Sequence, residues 1–250
     1  MVTDRTQDHS AKPRLGATVQ PDDVSPTPDA DTDTDAREFA ETLRAGHEAN
    51  DQDFDQFMQY ENRRVSTEYW TPVRVATRTA QWLDYFGARS VVDIGSGAGK
   101  FCVAAALGGH CQFTGIEQRM RLVAAARALA RTFDVDDRVD FVQSTMSDVA
   151  WPQADAYYLY NPFAESLYRF EDQLDGEVES GLDRYKREIA HAERFIDHAP
   201  RGTLVVTYNG FGGRVPDSYE QVAIDRAHPH ELRMWRKTRQ TSAGRVWRSG

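Results

Sequence analysis

The chain has 250 residues, of which 40% are hydrophobic, 11% aromatic and 28% charged. This composition is typical of a soluble globular protein and excludes collagen-like, coiled-coil and disulfide-scaffold proteins. Lysine and arginine total 30 against 39 aspartates and glutamates, a net charge of −9 that works against a general nucleic-acid or anionic-membrane binder. No apolar run approaches the ~20 residues that span a bilayer, and the first residues lack the pattern of a signal peptide, so we expect a cytoplasmic protein with no membrane partner.

Residues 1–36 differ from the rest of the chain in composition. They contain no aromatic residue, four of the ten prolines, and eight acidic against three basic residues. Such a segment cannot bury enough apolar surface to offset the entropy lost on ordering. We predict a disordered acidic tail at 1–36, a folded domain at 37–238 that begins with a helical cap (37–87), and a basic tail at 239–250.

Helix and strand patterns alternate through the predicted domain. Thr71 and Pro72 predict the start of a helix that Gly87 closes. Five apolar segments separated by helical patterns then predict a doubly wound parallel sheet covered on both faces. The last two strand patterns are separated only by a His-Pro-His turn, which is too short for a helical crossover and predicts an antiparallel hairpin. The sequence therefore predicts an α/β fold with a mostly parallel, seven-stranded sheet that ends in this hairpin. The predicted strands are 90–95, 111–117, 139–143, 155–161, 203–208, 219–225 and 231–237.

A glycine-rich turn follows the first predicted strand. Gly95, Gly97 and Gly99 leave room for a ligand to touch the backbone, and the turn runs into a helix N-terminus whose free N–H groups favour negative charge. In a doubly wound sheet this turn lies at the edge where ligands bind. The sequence thus predicts that the turn cradles an anionic group.

Three neighbouring residues distinguish this turn from a nicotinamide dinucleotide site. Such a site has glycine at the sixth position of its turn, where this chain has Lys100. Asp93, inside the first strand, suits a cationic amine better than a pyrophosphate. Glu117 ends the second strand, where its two oxygens can accept hydrogen bonds from both hydroxyls of a ribose. The alternative for Glu117 is a solvated charge at the strand end.

The segment from Val91 to Glu117, the Asn-Pro-Phe motif after the fourth strand and the closing hairpin resemble the class I, seven-β-strand methyltransferases, which use S-adenosylmethionine. The resemblance covers roughly Ser66 to Lys237. It implies a Rossmann-like fold and S-adenosylmethionine as the cofactor, with the turn at its methionine part, Asp93 at its ammonium group through the loop, and Glu117 at its ribose. The cofactor-binding residues expected on this basis are Asp93, Gly95, Ser96, Gly97, Gly99, Glu117, Gln118, Thr145 and Asn161.

The end of the third strand departs from the family. The family often has a Gly-Asp pair there, whose acid bonds the adenine amino group, whereas this chain has Ser144 and Thr145. Either Thr145 or Gln143 supplies that bond, or Asp148 reaches it from the next turn. The alternative for Asp148 is a helix cap.

The fourth predicted strand ends in Tyr160, Asn161, Pro162 and Phe163. Methyltransferases that modify amino groups of adenine or glutamine have Asn or Asp, two prolines and an aromatic residue at this point, so the motif here is one proline short. The similarity implies that Asn161 holds the methyl acceptor, with Tyr160 relaying a proton and Phe163 as a stacking wall. The alternative is a proline turn with a core phenylalanine.

Further aromatic and amide side chains are predicted at the same rim. Tyr69 and Trp70 precede the helix that leads into the first strand, and Asn209 follows the fifth strand. We expect these three residues to complete a substrate pocket; the alternative is that they serve packing. The histidines form no H-x-E or H-x-x-x-H pattern, so no metal is expected.

The resemblance implies an enzyme that transfers a methyl group to a nitrogen or oxygen of a small molecule or a protein side chain. Nitrogen is favoured over oxygen, and the acidic net charge disfavours a nucleic acid. Two rivals stay open: a cofactor-binding but inactive partner subunit, and a nicotinamide-dependent oxidoreductase. The segment 226–250 carries seven basic residues against one acid, which predicts either a solvated hairpin and tail or a docking face for an acidic partner.

Overall fold

A single mixed sheet forms the centre of this computed structural model, which describes residues 30–145, 151–169, 171 and 173–240. Its strands are β1 (Ser90–Ile94), β2 (Gln112–Glu117), β3 (Val139–Gln143), β4 (Ala156–Leu159), β5 (Leu204–Tyr208), β6 (Tyr219–Asp225) and β7 (Leu232–Lys237). The strand order is β3-β2-β1-β4-β5-β7-β6. The first five strands are parallel, and β7 runs antiparallel to both β5 and β6. The predicted doubly wound sheet and its closing hairpin are confirmed.

Helices cover both faces of the sheet. Successive side chains of a strand point to opposite faces, and each face packs against helices in its own core. The helices are α1 (Ala30–Arg44), α2 (Asp51–Asp55), α3 (Tyr60–Arg64), α4 (Ser66–Tyr69), α5 (Val73–Tyr85), α6 (Lys100–Gly108), α7 (Met120–Thr132), the 3₁₀ helix η1 (Ala164–Leu167) and α8 (Leu182–His198). Val91 packs into the core shared with α1, α5, α6 and α7, whereas the next residue, Val92, packs into the core under α8. Within the described residues, no helix has both the length and the apolar character needed to cross a bilayer.

Helix α1 places the start of the folded domain earlier in the chain than predicted. The predicted tail ended at residue 36, but α1 begins at Ala30, and Ala36 is fully buried in the same core as Phe39 and Leu43. The predicted boundary is wrong because the first buried side chain described in this helix is an alanine, which the absence of aromatic residues could not reveal. Residues 1–29 lie outside the described residues.

The start of α5 also differs from the prediction. The helix begins at Val73, not at Pro72, and its first N–H donates to the carboxylate of Asp51 at 2.9 Å. The Thr71 hydroxyl, predicted as the cap, instead lies 3.0 Å from the buried hydroxyl of Tyr158. The cap therefore comes from a residue that is distant in sequence, which local propensity cannot reveal. Gly87, with φ of +74°, follows the end of the helix as predicted.

The structure describes part of the basic segment 226–250. Arg226 and Arg233 both pair with Glu231, the Arg226 contact being 2.9 Å long. Residues 241–250 lie outside the described residues, so the docking role of this segment stays a prediction.

Candidate functional site

The glycine-rich turn joins β1 to α6 and folds over the end of β2. The N–H groups of Gly95 and Ser96 donate to the carbonyl of Ile116 at 2.9 and 3.0 Å. Gly95, Gly97 and Gly99 have φ angles of +77°, +55° and +82°, which side-chain-bearing residues rarely adopt. The turn is thus held against the carboxyl end of the neighbouring strand, in the backbone conformation that its glycines predict.

Two of these glycines are also required by neighbouring side chains. A Cβ on Gly97 would lie 2.2 Å from the ring of Trp70, and a Cβ on Gly99 would lie 2.7 Å from Ala126 and Phe141. Gly97 therefore allows an aromatic ring of the cap to lie on the turn. Gly99 allows α6 to pack closely on α7 and β3, and it does not line the cavity that the turn borders.

Glu117 ends β2 beside the turn and is only 5% exposed. Its carboxylate accepts hydrogen bonds from the N–H of Gly97 at 3.1 Å and from the N–H of Arg119 at 2.8 Å. Burial raises the pKa of Glu117, and these N–H groups together with the Arg119 guanidinium oppose the rise. The structure thus places a buried carboxylate of fixed orientation where the sequence predicts a ribose-binding acid.

Asp93 lies beneath the turn rather than in the wall of the cavity. It is 3% exposed and accepts a hydrogen bond from the Cys102 thiol, with the sulfur 3.4 Å from Oδ2. Burial raises the pKa of Asp93 to about 7, and the nearby carboxylate of Glu117 adds to the rise. Any effect of Asp93 on a ligand must therefore pass through the backbone of the turn.

Tyr160 and Asn161 follow β4 and line the cavity that borders the glycine turn. Asn161 has φ of +40°, and its N–H donates to the carbonyl of Gly210 at 2.9 Å, which ties the ends of β4 and β5 together. The Asn161 amide makes no side-chain hydrogen bond within the described part of the chain. Burial raises the pKa of Tyr160 to about 12, so its hydroxyl stays protonated at neutral pH and cannot act as a base there.

The structure corrects the role of Phe163. Its ring is 3% exposed and packs in the core under α8 with Ile94 and Leu159, and it does not line the cavity beside the turn. The proline turn after Asn161 directs the chain into this core, where an apolar ring is stabilised by burial. The structure therefore places Phe163 in the core, as the alternative predicts, and not in the wall of this cavity as a stacking ring.

One cavity of about 210 Å³ brings most of the predicted site residues together. It lies where β1, β2, β4 and β5 end, with the cap segment across it. The predicted residues in its walls are Tyr69, Trp70, Gly95, Gly97, Glu117, Gln118, Tyr160, Asn161 and Asn209. The wall residues that the sequence analysis missed include Glu68, Arg119, Glu165, Tyr168 and His230. The cavity thus joins the glycine turn, the acid of β2 and the amide after β4.

Arg119 is the most connected of the missed residues. Its guanidinium is 4% exposed and pairs with Glu165 at 2.8 Å and with Asp175 at 2.9 Å, while Glu117 lies 4.0 Å away. These pairs tie Glu165 and Asp175 to the end of β2. The only sequence signal was an arginine two residues after Glu117, and its partners lie 46 and 56 residues further along the chain.

The predicted adenine contacts lie in a second, adjoining space. Gln143 and Thr145 line a groove of about 900 Å³ along α8, and Gln118 and Arg119 line both spaces. Asp148 lies outside the described residues. The structure therefore places Gln143 and Thr145 in the wall of this groove and not in the wall of the cavity beside the glycine turn.

Lys100 turns away from the cavity. Its ammonium group is buried against two carboxylates of the cap, 2.7 Å from Asp51 and 2.6 Å from Asp55, and it donates to the Ser66 hydroxyl at 2.9 Å. The first residue of α6 thus anchors the cap helices. This anchoring explains how Trp70, which follows α4, is held on the turn.

Residues 87–158 match a family model described as a methyltransferase domain. The chain carries a methyltransferase domain. No curated protein matches the sequence. Solved structures similar to this domain have the same class I, Rossmann-like fold, and at their low identities the similarity concerns the fold alone.

Several such structures have TM-scores of 0.50 or above, among them the following three. An RNA methyltransferase from Salinibacter ruber, in complex with S-adenosyl-L-homocysteine, is 20% identical with a TM-score of 0.50, covering 70% of this chain and 97% of its own. A putative O-methyltransferase from Klebsiella pneumoniae is 13% identical with a TM-score of 0.52, covering 83% and 99%. An O-methyltransferase from Bacillus cereus, in complex with S-adenosylhomocysteine, is 10% identical with a TM-score of 0.50, covering 82% and 100%.

The residues of this methyltransferase domain fit S-adenosylmethionine. Gly95 lines the cavity without a side chain, so the methionine part can approach the backbone there, whereas the Trp70 ring lies on Gly97. Glu117 presents a buried carboxylate whose remaining lone pairs suit ribose hydroxyls. Acids outnumber bases in the described cavity wall, which suits a sulfonium cation.

Proposed function

We propose that the protein is an S-adenosylmethionine-dependent methyltransferase that methylates a nucleophilic nitrogen or oxygen of a small molecule or a protein side chain. The observation that carries the proposal is the single cavity in which the glycine turn, Glu117 and Asn161 meet. When bound, S-adenosylmethionine supplies an electrophilic methyl group on a sulfonium.

The residues of the site contribute mainly by position. Glu117 binds the ribose and so sets the direction of the cofactor, while Gly95, which has no side chain, allows its methionine part to approach the turn. The Asn161 side-chain oxygen accepts an N–H or O–H of the acceptor, which aims the acceptor lone pair at the methyl group. Holding two reactants in line lowers the barrier without covalent catalysis. Tyr160, protonated at neutral pH, donates a hydrogen bond or passes a proton through its hydroxyl.

The choice of acceptor rests on charge and on the motif after β4. Glu68, Glu117 and Glu165 line the cavity against the single guanidinium of Arg119, so a phosphate backbone meets repulsion there. The second proline that shapes a flat slot for a planar base is missing after Asn161. Both features support a small molecule or a protein side chain over a nucleic acid. The similarity of the Asn161 motif to that of amino-group methyltransferases favours nitrogen over oxygen.

Binding calorimetry with S-adenosylmethionine, S-adenosylhomocysteine and NAD tests the cofactor. We expect the first two ligands to bind and NAD not to bind, since Lys100 occupies the sixth position of the turn and is paired with acids of the cap. Tighter binding of NAD would overturn the proposal and favour an oxidoreductase.

The acceptor role is tested with Asn161→Ala. Incubation with labelled S-adenosylmethionine and cell extract identifies the acceptor fraction, on which Asn161→Ala should slow transfer by roughly 100-fold, the cost of misplacing one reactant. Cofactor affinity should stay within about twofold. Full activity of this variant would remove Asn161 from the acceptor site, and binding without any transfer by the wild type would indicate an inactive partner subunit.

A further inference from the structure

Four aromatic side chains line the cavity beside the glycine turn. They are Tyr69, Trp70, Tyr160 and Tyr168. The ring centroid of Tyr69 lies 5.9 Å from that of Trp70 and 6.4 Å from that of Tyr168, the latter pair at an edge-to-face angle of 71°. Aromatic faces carry partial negative charge and attract cations, most strongly where water is excluded.

The carboxylates of the cavity are not equally available to a ligand. Glu165 is paired with Arg119, and Glu117 accepts two backbone N–H groups. Within the described part of the chain, Glu68 has no ion-pair partner. The cavity therefore carries one carboxylate whose charge is not balanced by a neighbouring cation.

Glu68 lines the same cavity as these rings and immediately precedes Tyr69 in helix α4, and its side chain is exposed to solvent. The pKa of Tyr69 is raised to about 12, by burial first and then by the charges of Glu68 and Glu165. The pKa of Tyr168 is also raised, by burial first and then by the same two carboxylates. A negative charge thus stands beside the two phenol rings that close the cavity.

From this arrangement we infer that the acceptor is a small-molecule amine that binds as its ammonium ion among Tyr69, Trp70 and Tyr168, with Glu68 as its counter-charge. The inference rests on the proposed function and names its substrate class. A carboxylate or phosphate at this place meets Glu68 with like charge. A neutral phenol or alcohol gains no attraction from the charge of Glu68.

The chemistry of this acceptor balances without a further reagent. The bound ammonium releases one proton to solvent through the open mouth of the cavity, which frees the nitrogen lone pair. The amine nitrogen then attacks the methyl carbon, the new C–N bond forms as the C–S bond breaks, and the bonding pair leaves with the sulfur. The product is a methylammonium ion together with S-adenosylhomocysteine.

The test measures binding rather than turnover. The full chain is saturated with S-adenosylhomocysteine and titrated at pH 7 with benzylamine, benzyl alcohol and benzoate, which share one ring and differ in charge. We expect benzylamine to bind at least tenfold more tightly than benzyl alcohol, and benzoate to bind more weakly than the alcohol. Benzyl alcohol binding as tightly as benzylamine, or benzoate binding more tightly than either, would overturn the inference.

Two variants that each remove one carboxylate test whether Glu68 causes the preference for benzylamine. Glu68→Gln should weaken benzylamine binding about tenfold and leave benzyl alcohol binding unchanged. Glu61→Gln is the matched control, because Glu61 belongs to the neighbouring helix α3, pairs at the surface with Arg64 and does not line the cavity. Both variants should bind S-adenosylhomocysteine within about twofold of the wild type. Unchanged benzylamine affinity in Glu68→Gln would refute the inference alone, whereas wild-type protein that does not bind S-adenosylhomocysteine would refute the proposed function and the inference with it.

Discussion

Replacing Glu117 by glutamine tests the carboxylate that we assign to the ribose of the cofactor. Each carboxylate oxygen of Glu117 accepts one backbone N–H, from Gly97 at 3.1 Å and from Arg119 at 2.8 Å. Glutamine keeps the shape but turns one oxygen into a donor, which then faces one of these N–H groups. A hydrogen bond to a charged group is worth about 1.5–3 kcal/mol. Losing one such bond to the ribose should weaken S-adenosylhomocysteine binding by roughly 10- to 150-fold.

The loss in affinity should occur without loss of the fold. Burial raises the pKa of Glu117, so the folded state gains little from this charge. Arg119 keeps its pairs with Glu165 and Asp175 in the variant. We therefore expect the melting temperature to change by only a few degrees.

Calorimetry with S-adenosylhomocysteine and thermal unfolding of the same samples separate the two effects. Glu61→Gln, which removes a surface carboxylate distant from the cavity, controls for the change in net charge. A Glu117→Gln variant that binds S-adenosylhomocysteine within twofold of the wild type would refute the assignment of Glu117 to the ribose.

Two further predictions concern the turn and the acid beneath it. Gly97→Ala should lower both the free energy of unfolding and the affinity for S-adenosylhomocysteine, because the new Cβ would lie 2.2 Å from the Trp70 ring. Gly87→Ala is the control, since Gly87 has a similarly positive φ but open space around the position of its Cβ. That variant should lose only about 1–2 kcal/mol of stability through backbone strain. Equal destabilisation of both variants, with unchanged affinity, would exclude a role for the Trp70 contact. The pKa of Asp93 is raised from 3.8 to about 7 in the folded state, so the folded protein holds a proton that the unfolded chain has released, and stability should fall as pH rises from about 4 to about 7. Asp93→Asn should flatten this fall in melting temperature between pH 5 and pH 7, and a wild-type slope in the variant would contradict the shifted pKa.

The sequence by itself determined the sheet, the turn and the acid of β2. Each of these depends on a pattern within one element or between neighbours in the chain. Alternating apolar strands and helices require a parallel sheet, and a His-Pro-His turn leaves only an antiparallel hairpin. Glycines at 95, 97 and 99 match three positive φ angles, and the end of a strand fixes the place of Glu117.

The tertiary structure decided which side chains meet. Phe163 lies in the core while Tyr69 and Trp70 line the cavity, although all three are aromatic residues beside a predicted site. Arg119 finds its carboxylates 46 and 56 residues further along the chain, and Lys100 finds Asp51 and Asp55 in the cap. Such pairs leave no periodic pattern, because the energy of an ion pair or a ring contact depends on distance in space and not on separation along the chain.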